Sequence, residues 1–426
     1  MSLKSGTKWI LGAAVASTVA LASTAAFAVK VGPVEDPVRV TKIPKGAPIQ
    51  IGTFLVLSGA DVAQGLDGLR GIQVAVEDMG GKLMGHPIRL ISEDDTCSAE
   101  GGQIAATKIA ANQQVVAALG GSCSSATIPA APILWKAGIP DITPGAASPY
   151  LTDPKKRGPG FEGFARMFYN AGWQGVELAK WAKEVKKYDN VAAIHDGSPY
   201  VEGLARAFVE SFQKIGGKVC AVEAIAPTDT DMRPMLTKLS TCKPQMVFFP
   251  GFINATAYVI RQSKEVPGLE KTEFIGSDNV LAKEFMEAAG ANTNGFTFVS
   301  SAEQEADFQT KSVPAYAKMR EHYKKMFGEN PIQGTHHFAY DSFLMVAKAI
   351  EKVAVKDNDG NLYIPATKLR DAILGTKGMK GMTGEVNCDQ NGDCGPFTIA
   401  LYQYVSADPN TFDLGKNPKR VYTGKK

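Results

Sequence analysis

Val115-Val116-Ala117-Ala118-Leu119-Gly120-Gly121-Ser122-Cys123-Ser124-Ser125-Ala126-Thr127 changes character twice within a few residues. The first five residues are apolar without a break, the pattern of a short strand buried on both faces. Small residues then turn the chain. A helical pattern begins near Ala126 and runs to about residue 137. A doubly buried strand followed by a helix is the unit of a parallel sheet covered by helices. The same unit recurs around this stretch. Strands are expected at residues 51–56, 88–91 and 140–143, with helices at 68–79 and 100–112. Within residues 103–111, Ile104, Ile109 and several alanines read as one apolar helix face.

The rhythm breaks at residues 157–166, which are rich in Gly and Pro, and then restarts. Strands are expected at 191–194, 218–225, 246–249, 273–275 and 296–299, with helices at 200–215, 233–240 and 255–265. Two such series in 426 residues, more than one core usually serves, imply an α/β chain of two Rossmann-like lobes with parallel sheets. No G-x-G-x-x-G follows the first strand, so a dinucleotide site has no fingerprint. After Ser301 the patterns at 313–327, 335–353 and 366–374 are helical, and strand character returns at 397–402. Helices without strands suit a return to the first lobe, and the last strands suit a crossing back to the second. Three connections between lobes would restrict their motion to hinge bending. The expected organisation is residues 48–165 with 302–380 as lobe 1, and 166–301 with 381–426 as lobe 2.

The N-terminus reads as an export signal. Lys4 and Lys8 precede the apolar or small run from Trp9 to Leu21, and Ala26-Phe27-Ala28 is an A-x-A cleavage pattern. The run is shorter than the ~20 residues a membrane span needs. No cysteine stands at the cleavage point to carry a lipid. A soluble exported protein cleaved after Ala28 is expected, with residues 29–47 as a loose, extended lead-in. Losing residues 1–28 removes two lysines and no acid, which takes the formal charge from +3 to +1. So small a charge gives no reason to expect a nucleic-acid partner.

Six cysteines suit an oxidising compartment, although they allow fifteen connectivities. The pairs Cys97–Cys123, Cys220–Cys242 and Cys388–Cys394 each join neighbours in the element order. No C-x-x-C spacing suggests zinc. His336-His337 are adjacent and would point in different directions on a helix, so they do not suggest shared metal ligation. Residues 389–393 have the look of a calcium loop but lack its twelfth-position glutamate, and a turn is the better reading. Neither metal nor cofactor is expected. Cys123 beside serines, together with His195-Asp196, could suggest an enzyme. There is no G-x-S-x-G elbow, however, and a disulfide would consume Cys123.

Several stretches together resemble one family. They are Leu57-Ser58-Gly59, Glu93-Asp94-Asp95-Thr96-Cys97, Gly120 through Thr127, and Ile142-Thr143-Pro144-Gly145-Ala146-Ala147-Ser148-Pro149. In the second series they are Tyr200-Val201-Glu202-Gly203-Leu204-Ala205 and Phe274-Ile275-Gly276-Ser277-Asp278. Their order and spacing, from about Ile49 to about Tyr404, resemble the leucine/isoleucine/valine-type periplasmic binding proteins, which have the type I periplasmic binding fold. The Cys97–Cys123 pairing is also similar to the bridge of leucine-type members. The resemblance implies a periplasmic, monomeric carrier that delivers a small amino-acid-like ligand to an inner-membrane ABC permease.

All these motifs follow strands, where ligands of open α/β sheets bind. Ser124 stands where a helix start offers free amides and a positive dipole end. The resemblance implies that it holds the ligand carboxylate; its ordinary role would be a helix cap. Gly145 is implied to offer a backbone carbonyl. Ala147 occupies a position where leucine-type members carry threonine, and Ser148, one residue on, is a candidate replacement for the missing hydroxyl. Asp278 matches an acid that pairs with the ligand ammonium, and otherwise reads as a turn or cap. Tyr200 could close over the ligand and Phe252 could supply an apolar surface. Branched-chain or other aliphatic amino acids lead as ligands. Aromatic carboxylates, amides or urea, or a sensor role for such a ligand, are the alternatives.

Overall fold

The computed structural model describes residues 2, 28–395 and 397–424. The expected leader, residues 1–28, lies outside the described residues apart from Ser2 and Ala28.

The first sheet has six strands in the order Lys82–Leu83, His86–Asp94, Ile49–Leu55, Val115–Gly120, Asp141–Thr143 and Phe164–Arg166. Its neighbours run parallel except for the short Lys82–Leu83 arm. Every residue of Val115–Gly120 is buried, as its unbroken apolar run requires. The two neighbours of Ile49–Leu55, His86–Asp94 and Val115–Gly120, both follow it in the chain but lie on opposite sides, so the strand order reverses there. A crevice opens beyond the carboxyl ends of the strands at such a point. Those ends lead into Leu57-Ser58 on one strand and Gly121-Ser122 on the next.

The second sheet repeats the device. Its order is Lys218–Ala224, Asn190–His195, Met246–Phe248, Glu273–Ser277, Thr297–Ser301, Ile399–Gln403 and Lys419–Thr423. The first five strands are parallel, and the last two are added antiparallel. Here the order reverses at Asn190–His195, whose end leads towards Tyr200, while Met246–Phe248 leads towards Phe252. Helix His336–Val353 packs back on Val62–Asp78 beside the first sheet. The chain thus passes between the sheets after Arg166, after Ser301 and again before Ile399.

Arg166 ties the first and third of these passages together. It is fully buried, and its Nε donates to Asp393 Oδ1 at 2.8 Å. Nη1 donates to Ser148 O at 2.7 Å, and Nη2 reaches both Thr152 Oγ1 and Asp393 Oδ1 at 2.5 Å. Asp393 Oδ2 accepts from Thr152 and Asn170, each at 3.1 Å. A buried ion pair of this kind needs its spare donors and acceptors filled, and here they are. The loop carrying Asp393 is closed by Cys388–Cys394 and folded by Asp389 Oδ1, which accepts from Asn391 N and Asp393 N. The other cysteines pair as Cys97–Cys123 and Cys220–Cys242.

Three expectations need correction. Residues 29–47 are not a loose lead-in. Val29–Val31 pairs with Val34–Asp36, and Val40–Ile43 pairs with Leu362–Pro365. Val34, Val40 and Ile43 are buried there, which compensates for the ordering. The apolar face of Ala99–Ala111 is built from Ala105, Ala106 and Ile109, while Ile104 is exposed. Five residues separate Ile104 from Ile109, about 140° around a helix of 3.6 residues per turn. The helix expected at 313–327 is present as Ala315–Phe327, and a short helix that was not expected, Ala306–Ser312, precedes it. Pro314 disfavours a helical Val313, which is extended at φ −135° and ψ 91°. The Gly- and Pro-rich break contains the sixth strand, Phe164–Arg166, and is followed by helix Ala171–Lys180. Asn170 caps that helix, accepting from Gly172 N at 2.9 Å.

Candidate ligand-binding site

The wall from the first sheet is assembled by short hydrogen bonds between its turns. Ser122 N donates to Asp95 Oδ2 at 2.9 Å, and Ser122 Oγ accepts from Val56 N at 3.0 Å. Thr143 Oγ1 donates to Gly121 O at 2.7 Å and accepts from Ala146 N at 2.8 Å. Burial pushes the Asp95 carboxyl up to about 6, against the pull of its amide donors. The disulfide Cys97–Cys123 braces the turns after strands His86–Asp94 and Val115–Gly120.

Ser124 opens helix Ser124–Lys136, whose N-cap residue is Cys123 and which has no side-chain cap. Ser124 Oγ instead accepts from Ser148 N at 3.0 Å. Its own hydrogen is therefore free to donate into the crevice, beside first-turn amides that have no intrahelical acceptor. Gly145 lies against this wall. A Cβ there would come within 2.9 Å of Ser122 O and 3.2 Å of Gln64 Nε2, so only glycine leaves the crevice open.

The facing wall belongs to the second sheet and the first passage between sheets. Asp278 starts the turn Asp278–Val280 after strand Glu273–Ser277 and is buried. Its Oδ1 accepts from Tyr200 OH at 2.8 Å and from Gln174 Nε2 at 3.0 Å; Oδ2 accepts from Tyr169 OH. Desolvation raises the Asp278 carboxyl above its ordinary range, and the three donors pull it back. Burial and the same carboxylate push the Tyr169 and Tyr200 phenols well above theirs, so both stay protonated donors. The Tyr200 ring packs near Phe252, with centroids 6.2 Å apart.

One cavity collects six of the seven residues expected from sequence. It is lined by Ser124, Gly145, Ala147, Tyr200, Phe252 and Asp278, with Gln64, Ser122, Cys123, Phe168 and Asn279. The cavity is tight, with a volume of ≈ 20 Å³. Ser148 is the exception. It does not line the cavity; its Oγ donates to Pro199 O at 2.8 Å and accepts from Tyr150 N at 3.2 Å. It therefore does not supply the hydroxyl that Ala147 lacks, and instead bonds one wall to the other.

Tyr169 and Gln174 were not anticipated. The available signal was Asn170, a strong N-cap residue ahead of Ala171-Gly172-Trp173-Gln174. The site presents hydroxyl and amide donors on one side and a buried carboxylate on the other, which suits a zwitterion. Cys123 is held in a disulfide and offers no nucleophile. Among the described residues no cluster of metal-ligating side chains occurs, and no helix is long and apolar enough to cross a membrane. His336 donates its backbone amide to Asp67, its ring Nδ1 lies 2.9 Å from the same carboxylate, and the His337 ring nitrogens are buried without partners.

Comparison with known proteins agrees with this architecture. A family model described as periplasmic binding protein matches residues 48–407. An amino acid binding protein of Pseudomonas aeruginosa is 31% identical over 57% of this chain and 64% of its own length, slightly less than two thirds. The leucine-, isoleucine-, valine-, threonine- and alanine-binding protein of the same organism is 26% identical over 78% of this chain and 84% of its own. A solved leucine binding protein of Thermotoga maritima superposes with a TM-score of 0.73 at 23% identity, covering 84% of this chain and 96% of that one.

Proposed function

Because the chain belongs to the periplasmic binding protein family, whose members bind solutes and are not enzymes, we propose that it captures a branched-chain or related small amino acid between its lobes. In this reading it carries the ligand through the periplasm, as a monomer, to an inner-membrane ABC permease. One observation carries the proposal: Ser124 with its helix start and Asp278 with its three donors line the same cavity. The ligand carboxylate meets the former and its ammonium the latter. A buried carboxylate without a cation is costly, and an ammonium removes that cost. The names of the amino-acid-binding relatives support the same ligand class.

Binding couples to closure through differential contact. Ser124 and Gly145 belong to one wall, Tyr200 and Asp278 to the other, so a ligand touching both favours the closed arrangement. The Ser148–Pro199 hydrogen bond spans the same gap. Calorimetry with leucine, isoleucine, valine and other small amino acids tests the reading. Saturable binding is expected, weakened on the order of a hundredfold in Asp278→Ala, where the ammonium loses its buried partner. Unchanged affinity in that variant removes the ammonium role. Binding of aromatic acids, amides or urea with no amino acid bound transfers the site to that ligand class. Export with cleavage after Ala28 is tested by N-terminal sequencing of the mature protein.

A further inference from the structure

A second cavity lies one turn from Asp278. It is lined from the second lobe by Leu281 and Leu414, and from the first by Tyr316, Arg320, Asn330 and Gln333, among others. Its volume is ≈ 220 Å³, against ≈ 20 Å³ for the cavity beside Asp278. Leu281 N donates to Asp278 O at 2.9 Å, so the two cavities share a single turn as a wall. A 3₁₀ turn rises about 2 Å per residue, which puts Leu281 about 6 Å beyond the carboxylate-bearing residue. On the other wall, Gln64 lines the tight cavity while its carbonyl accepts from Thr335 Oγ1 at 2.8 Å, next to His336 of the larger one.

The larger cavity has a distinctive charge arrangement. Among the described residues Arg320 has neither an ion-pair nor a hydrogen-bond partner, while the neighbouring Asp413 is paired with Lys416 at 2.8 Å. Asn330 and Gln333 line the same cavity with side-chain amides. An unpaired guanidinium facing a cavity favours a carboxylate, which it can hold with two parallel hydrogen bonds.

We propose that this cavity is a distal subsite, and that among small α-amino acids related to the branched-chain ones the site favours those whose side chain ends in a carboxylate held by Arg320. This rests on the reading of the Asp278 cavity as the head-group site. The tight cavity takes the α-amino and α-carboxyl groups, and the side chain passes Leu281 into the roomier one. The side-chain N–H groups of Asn330 and Gln333 donate to the carboxylate oxygens that Arg320 leaves open. Because Leu281 and Leu414 come from one lobe and Arg320 from the other, a distal carboxylate also adds a contact made only on closure.

Calorimetry with matched pairs tests this in the full mature chain: glutamate against glutamine, α-aminoadipate against norleucine, and γ-glutamylglycine against γ-glutamylglycinamide, with leucine as the apolar reference. The acidic member should bind at least about tenfold more tightly once its side chain reaches Arg320. Arg320→Gln should abolish that preference and leave leucine affinity within about twofold and the melting temperature unchanged. Leucine binding without any gain from a distal carboxylate overturns the subsite and leaves the head-group reading standing. A preference for acids that survives Arg320→Gln overturns the role of Arg320. Failure of every α-amino acid to bind overturns both readings.

Discussion

Replacing Arg166 by methionine should destabilise the protein sharply. The guanidinium is fully buried and donates to Asp393, Ser148 O and Thr152. Methionine fills much of the volume but donates nothing. Asp393, 8% exposed, would keep only Thr152 and Asn170 as donors. Removing one partner of a buried pair costs about 3–5 kcal/mol, because the other charge stays buried and uncompensated. Unfolding entropy of about 2.1 cal/mol/K per residue over roughly 400 residues is about 0.8 kcal/mol/K. The expected fall in melting temperature is therefore about 4–6 °C, read by calorimetry. The double variant Arg166→Met with Asp393→Leu should regain most of the loss, since no lone charge remains. A single variant melting within about 1 °C of the wild type, or a double variant no better than the single, would refute the assignment of the hub as a compensated ion pair.

Ser148→Ala should weaken ligand binding by about twofold to tenfold, the worth of one neutral hydrogen bond between the walls, mainly through faster release. Stopped-flow fluorescence reads that rate. Gly145→Ala should weaken binding more than it lowers stability, because its Cβ would push on Ser122 O at 2.9 Å in the wall that meets the ligand; titration beside a thermal melt separates the two effects. Asp95 and Asp341 have carboxyls raised by burial to about 6 in the folded chain, against an ordinary 3.8. The folded state then binds more protons than the unfolded one between about pH 4 and 6, so their contribution to stability is full below pH 4 and is lost as pH rises through 6. Urea midpoints across that range should show the fall, and it should be smaller in Asp341→Asn.

The repeated strand–turn–helix units were legible because each element's signal is local. The unbroken run Val115 to Leu119, the small residues after it and the helix beyond lie within a few positions of one another. The same locality placed Ser124, Gly145 and Asp278 at strand ends, and the cysteine pairs join neighbouring elements. Ile104 misled because it stands five residues, about 140° of helix, from Ile109, so the two cannot share one buried face.

The partners of these residues are a different matter. Tyr169 and Gln174 reach Asp278 across more than a hundred residues of chain, and Arg166 reaches Asp393 across more than two hundred. Nothing local encodes such a meeting, because it depends on where the passages between the sheets bring the chain back. Ser148 shows the same at close range: its position one residue beyond Ala147 was plain in sequence, but its hydroxyl is claimed by Pro199 from the other lobe. Sequence alone therefore determined the elements and the strand ends where a ligand can sit. The packing of two lobes decided which polar atoms face that ligand, because a hydroxyl or carboxylate turns to the strongest partner within reach, and here that partner comes from a distant part of the chain.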